Sequence, residues 1–341
     1  MIVLLLALSL TAGQCSQPAN RPENQLAATS EQATSGEAEA LTSQIEALAP
    51  LNLAAGEKVR VVATTNIIAD VAKVIGGPAI ELTSLLPLGA DPHSLVPTPQ
   101  DVAAVTEAHL IFSNGLGLET FMAELIENAG GELKTIALSD GLTTLDIEHL
   151  AQEEEQEDDH GHDDSDPHVW MAPANVAVWA GHMATALSAL DPTNQALYQQ
   201  NASAYQTELL TLDAWVESQI ETIPAQNRKL VTDHETLGYY ANRYGLTLIG
   251  TVIPSYSTNA EPSAGELAQL EQAIATAGVP AIFVGATVNP KLAEQVSQDS
   301  GIRLVPLYTG SLGGPGSGAE TYLDLIRYNT QAIVAALQPG Q

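Results

Sequence analysis

An α/β architecture of two Rossmann-like lobes with parallel sheets, joined by a long rigid α-helix, follows from three observations. Short apolar runs alternate with helix-length segments between residues 57 and 138, and the same alternation restarts after residue 225. Apolar strands separated by helices imply parallel sheets covered on both faces. A single long amphipathic stripe lies between the two runs, where it would brace one lobe against the other. At 341 residues and 45% apolar content, the chain can build two ordinary domain cores.

Taken in order, the chain opens with the apolar run Ile2 to Leu10. This run is too short for a stable bilayer span and fits the h-region of a signal peptide, although no Lys or Arg precedes it. The only cysteine, Cys15, follows Thr11-Ala12-Gly13, an arrangement that resembles a bacterial lipobox except that Gln14 replaces the usual small residue. The expectation is a signal peptide over residues 1–15 with lipidation at Cys15; ordinary cleavage nearby is the alternative, and both imply export. Residues 16–56 are rich in Ser, Gln, Glu, Ala and Pro and read as a flexible tether, with a short helix near Ala40–Leu48.

The N-terminal lobe is expected over residues 57–190. Its strands are Val59–Thr64, Ile80–Leu86, His109–Ser113 and Lys134–Leu138. Its helices run from near Asn66 to Gly76-Gly77, over Pro99–Glu107 and over Leu118–Ala129. A linking helix is expected over residues 191–224, with Asp191 as N-cap and Pro192 in the first turn. Tyr198, Ala202, Tyr205, Leu209, Leu212, Val216 and Ile220 recur at steps of four and three, an apolar face about 45 Å long. The C-terminal lobe, residues 225–341, should contain strands Arg228–Thr232, Leu246–Thr251, Ala281–Val284 and Arg303–Pro306, with helices starting at Thr236, Ala264 and Pro290.

The formal net charge of −30, from 41 acids against 11 bases, excludes nucleic acid as a partner and suits the attraction of cations. Part of this charge is the low-complexity run EEEQEDDHGHDDSD, residues 153–166. Like charges so dense cannot pack, so a mobile loop is expected, with His160 and His162 as auxiliary metal ligands or simply solvated. Gly115-Leu116-Gly117 lacks the third glycine of a dinucleotide site, and no Walker lysine pattern exists.

Three histidines, His93 in GADPHSLVPTPQD, His168 in DPHVWMAP and His234 in TDHETLGYY, each follow an expected strand end. Loops from one face of an α/β layer converge there, and neutral imidazole is the commonest protein ligand for zinc. For His109 and His182, one at the start of a buried strand and one on an apolar helix, a structural role is the stronger reading.

In order along residues 57–337, the segments VVATTNIIADVAKVIGG, GADPHSLVPTPQDV, SNGLGLE, DPHVWMAP, the His234 segment through RYGL, EPSAGEL and TYLDLIRYN resemble the substrate-binding proteins of bacterial ABC importers for zinc and manganese, cluster A-I type. The resemblance implies a metal held in the cleft between the lobes by His93, His168 and His234. It also implies a membrane permease of the ABC transporter as partner, a monomeric body, and a cell-surface lipoprotein or periplasmic location. Manganese-type members carry a carboxylate at the third ligand place, so His234 favours Zn²⁺ as the transported ion, with Mn²⁺ or iron as the alternative. The family's fourth ligand is an aspartate, whereas LYTGSL places Gly310 there, a residue without a side chain. Water, the acidic loop or another carboxylate would then complete the site. Three histidines with an open place also fit a catalytic zinc, so a zinc-dependent hydrolase is the reading from another class. A surface adhesin is a third reading, which nothing in the sequence supports separately.

Overall fold

A computed structural model describes residues 35–121, 125, 129, 135–145 and 165–338. The expected signal peptide, Cys15, His160 and His162 lie outside these residues, as does most of the helix expected over 118–129.

Both sheets are parallel and share one topology. Strands β1 (Val59–Ala63), β2 (Ile80–Ser84), β3 (Leu110–Ser113) and β4 (Thr135–Ala137) are ordered β2-β1-β3-β4. Strands β5 (Lys229–Thr232), β6 (Thr247–Thr251), β7 (Ala281–Gly285) and β8 (Arg303–Leu307) are ordered β6-β5-β7-β8. In each lobe the order reverses beside the first strand, which opens a crevice at the carboxyl ends of the strands.

Alternation along the strands assigns each face to a different core. Val59, Val61, Ala63, Leu110 and Phe112 point into a core that continues across the whole molecule to Leu230, Ala281 and Phe283. Their neighbours turn the other way: Val62 and Ile111 pack with Val105 and Leu125, while Val231, Ile282 and Val284 pack with Leu270, Ile274 and Val296. Each sheet is thus buried on both faces, which is why its strands read as nearly unbroken apolar runs.

The helices are α1 (Ser35–Glu46), α2 (Asn66–Gly76), α3 (Pro99–Glu107), α4 (Pro173–Leu190), α5 (Gln195–Glu221), α6 (Gly238–Tyr244), α7 (Ala264–Ala277), α8 (Lys291–Ser300) and α9 (Tyr322–Leu337). The brace is α5, whose 27 residues span roughly 40 Å. Its stripe of Tyr198, Ala202, Tyr205, Leu209, Leu212, Val216 and Ile220 is buried throughout. Helix α4 returns along α5, and Gln206 Nε2 donates to the Ala177 carbonyl at 2.8 Å. One polar residue interrupts the stripe: buried Asp213 accepts from Arg243 and from the Tyr244 hydroxyl at 2.8 Å, fastening α6 to the brace.

The structure differs from the sequence expectations in four places. The chain from residue 35 is not a loose tether, because α1 brings Leu41 and Ile45 into the shared core, and Leu48 follows them. Asp191 caps a 3-10 turn, Pro192–Asn194, rather than α5 itself, which starts after Asn194, and the Asp191 carboxylate accepts from the Asn194 and Tyr198 side chains at 2.6 and 2.8 Å instead of from a helix amide. Helix α9, absent from the sequence reading, crosses back to the first lobe, where the Tyr322 amide donates to Asp70 at 2.8 Å. Ser165 and Asp166, expected at the end of the acidic loop, are buried, and the rest of that run lies outside the described residues.

Candidate metal centre

The structure brings His93, His168 and His234 together at the carboxyl edges of the two sheets. Their ligand-capable atoms all lie within 4.8 Å of one another, the only such cluster of three or more His, Cys, Asp or Glu side chains among the described residues. His93 Nε2 is 3.2 Å from His168 Nε2. The ring centroids are separated by 5.2 Å (His93–His168), 5.7 Å (His93–His234) and 5.1 Å (His168–His234).

Two of the rings are fixed by carboxylates just before them in sequence. Asp166 Oδ1 accepts from the His168 amide at 2.9 Å and from His168 Nδ1 at 2.8 Å. Asp233 Oδ1 likewise accepts from the His234 amide at 2.8 Å and from His234 Nδ1 at 3.0 Å. With Nδ1–H bound to a carboxylate, Nε2 is left with its lone pair toward the cluster, the tautomer a metal requires. Both aspartates are themselves held. Asp233 Oδ2 accepts from the Gly285 amide at 2.7 Å, and the Asp166 carbonyl accepts from the Tyr239 hydroxyl at 2.9 Å. Each also abuts a glycine. A Cβ at Gly238 would collide with the Asp166 carboxylate, and one at Gly285 would come within 3.2 Å of Asp233 Oδ2 while overlapping Thr309.

His93 lies on the loop between β2 and α3 and is steered through its main chain. Its amide donates to Asp91 Oδ1 at 3.0 Å. Burial, then the nearby His168 and His234, push the His93 imidazole down to about 3. Burial and His234 hold His168 well below the ordinary imidazole range. These two rings are therefore neutral, as ligands must be. Burial pushes Asp166 up to about 7, against hydrogen bonding from the His168 amide and the influence of His234.

A further layer supports His168. The SNGLGLE segment forms a turn with Gly115, Leu116 and Gly117 at φ of 88°, 52° and 71°. Glu119 secures it by accepting from the Asn114 and Gly115 amides and the Thr64 hydroxyl, at 2.6, 3.1 and 2.7 Å. The Asn114 side chain then donates to the Pro167 carbonyl at 2.9 Å, directly before His168. The Trp170 ring packs against His168 at an interplanar angle of 64°, with centroids 5.2 Å apart, and donates from Nε1 to the Thr309 carbonyl at 2.7 Å.

Gly310 is buried at an ordinary backbone conformation, so no left-handed φ explains it. Close approach does: a Cβ there would meet Pro92 Cδ at 2.8 Å and Thr287 Oγ1 at 3.1 Å. The missing side chain thus lets the His93 loop pack onto the second lobe. His109 and His182 are structural. The Arg60 amide donates to His109 Nδ1 at 3.1 Å, and His182 Nδ1 lies 3.2 Å from the Leu138 carbonyl.

Sequence reasoning missed Asp166, Asp233, Gly238 and Gly285. The first two were legible as the acidic residue shortly before each histidine, in DPH and DH.

The family described as zinc-uptake complex component A, periplasmic (ZnuA), matches residues 61–336. The manganese-binding lipoprotein MntA of Halalkalibacterium halodurans is 31% identical, over 83% of this chain and 89% of its own length. The manganese ABC transporter substrate-binding lipoprotein PsaA of Streptococcus pneumoniae is 33% identical, over 83% of this chain and 90% of its own. Among solved structures, the periplasmic zinc binding protein TroA from Treponema pallidum superimposes with a TM-score of 0.73 at 30% identity, covering 83% of this chain and all of that one (100%). A Mn-bound periplasmic metal binding protein from Candidatus Liberibacter asiaticus gives a TM-score of 0.71 at 28% identity, covering 82% and 100%.

Proposed function

The chain belongs to the zinc-uptake complex component A family and is the extracytoplasmic metal-binding component of an ABC transporter rather than an enzyme, and we propose that its cargo is zinc, held by His93, His168 and His234. One observation carries the choice of metal: the clustered donors are three imidazoles, and no carboxylate joins them among the described residues. Neutral nitrogen donors suit zinc, whereas carboxylate oxygens suit the harder manganese. Asp166 and Asp233 act on the ion through the rings, fixing the tautomer and raising ligand basicity. Three protein nitrogens leave a place for a solvent donor, which suits a protein that must release its ion to a permease.

Manganese is the second reading, favoured by relatives such as MntA and PsaA that are named for it. Titrating the metal-free chain with zinc in the presence of excess manganese separates the two. Tight zinc binding at one equivalent, undisturbed by manganese, is the expected result; preferential manganese uptake would favour the second reading. We further propose that Cys15 carries a lipid that tethers the body outside the membrane, as the lipoprotein names of MntA and PsaA suggest. Cys15→Ser should move the chain from the membrane fraction into the soluble one.

A further inference from the structure

His93 belongs to the first lobe, yet the groups that fix its loop come largely from the second. The segment after β6, residues 254–259, reaches across the cleft to it. Thr258 Oγ1 donates to Asp91 Oδ2 at 2.5 Å, and Asn259 Nδ2 donates to the His93 carbonyl at 3.1 Å. Asp91 uses its other oxygen to hold the His93 amide, so Thr258 and Asn259 grip both sides of one peptide segment. The same segment places Tyr256 beside His168, with ring centroids 6.3 Å apart. The segment is also braced internally and against the third ligand. The Ser257 amide donates to Ser255 Oγ at 3.0 Å, the Asn259 amide to Ser257 Oγ at 3.2 Å, and the Glu235 amide, next to His234, to the Ser255 carbonyl at 3.1 Å.

We propose that residues 254–259 form a clasp from the second lobe in which Thr258 and Asn259 are positioning residues for His93, so that the clasp sets how fast the metal leaves. This rests on the three-histidine reading of the site. His168 and His234 are held by carboxylates from their own segments, and opening the clasp leaves them in place. His93 alone loses its alignment when the two cross-lobe hydrogen bonds break. The ion then passes from three imidazoles to two, and the energetic barrier to release is the opening of the clasp. Two further cross-lobe contacts hold this loop, Pro92 packing on Gly310 and the Gly89 amide donating to Ser311 Oγ at 2.8 Å, and neither acts on the His93 residue itself.

The test measures zinc release from the full-length chain into excess chromogenic chelator, alongside metal-free melting temperatures. Thr258→Val keeps the shape and removes the donor; Asn259→Ala removes the other. Each should accelerate release about five-fold, as the loss of one net hydrogen bond implies, with metal-free melting unchanged and with Thr258→Ser restoring the slow rate. Unchanged release rates in both variants would overturn the clasp while leaving the site intact. Faster release that Thr258→Ser fails to rescue would also overturn it, since any disturbance of the loop would then suffice. A wild-type chain that binds no zinc would overturn the underlying reading instead, and would do so before any variant is made.

Discussion

The three imidazoles of the cleft are secured by two different means. His168 and His234 each lean on an aspartate one or two residues earlier, and each aspartate is held by a second hydrogen bond, from the Tyr239 hydroxyl to the Asp166 carbonyl and from the Gly285 amide to the Asp233 carboxylate, and abuts a glycine. His93 sits on a longer loop and is directed through its main chain, partly by Thr258 and Asn259 of the opposite lobe. The difference separates two tasks within one site. Short carboxylate–imidazole pairs give ligands that are aligned before any ion arrives. A ligand held across the cleft gives a place where binding and lobe contact are coupled. Both lobes have the same strand order, so the contrast arises from the loops rather than from the sheets.

The strongest challenge to this comparison removes a ligand from each side. His168→Ala and His234→Ala should each lower zinc affinity on the order of a hundred-fold or more, measured by competition with a chelator of known affinity. If one of them is silent, the two lobes do not share an ion. Asp166→Asn and Asp233→Asn keep the volume but weaken the carboxylate's hold on Nδ1, and should lower affinity about ten- to a hundred-fold. Equal losses would show that the two carboxylate pairs are equivalent despite lying in different lobes.

Smaller effects sharpen the role of the glycines. Gly310→Asp should destabilise the chain by about 1–3 kcal/mol, because its Cβ meets the Pro92 ring, and should weaken rather than strengthen zinc binding. Thermal melting with and without zinc checks this, and tighter binding at unchanged melting would show a carboxylate reaching the ion. The smallest expected effect is on pH dependence, away from the site. Burial lowers the His182 imidazole, so the unfolded chain takes up a proton that the folded chain refuses. Stability from this group is full above about 6.5 and is lost as pH falls toward the depressed folded value. His182→Gln should flatten that part of the acid loss in urea titrations relative to the wild type.

The sequence made the three histidines, the parallel sheets and the brace legible, because each rests on a local signal. The stripe from Tyr198 to Ile220 is visible as periodicity, and its burial follows directly. Asp166 was hidden for the opposite reason: it closes a run of like charge whose composition suggests solvation, while its burial is decided by Tyr239 and Gly238 some seventy residues away. Asp213 was similarly masked by its place among apolar neighbours, since its partners Arg243 and Tyr244 come from another helix. Gly310 reads in sequence as a missing ligand, whereas the structure gives it a neighbour, Pro92, that needs its space. The short helix near Ala40–Leu48 was legible, but its packing was obscured by the polar composition around it, although Leu41, Ile45 and Leu48 carry the spacing of a buried face.

X-ray absorption at the zinc edge of the zinc-loaded, full-length chain tests the central claim most directly. Three imidazole nitrogens on one ion predict a first shell dominated by nitrogen at about 2.0–2.1 Å, with the outer-shell scattering of histidine rings. That signal should collapse when His93, His168 and His234 are replaced together. A first shell dominated by carboxylate oxygen, unchanged by those replacements, would contradict the account and place the tightly bound zinc elsewhere in the chain.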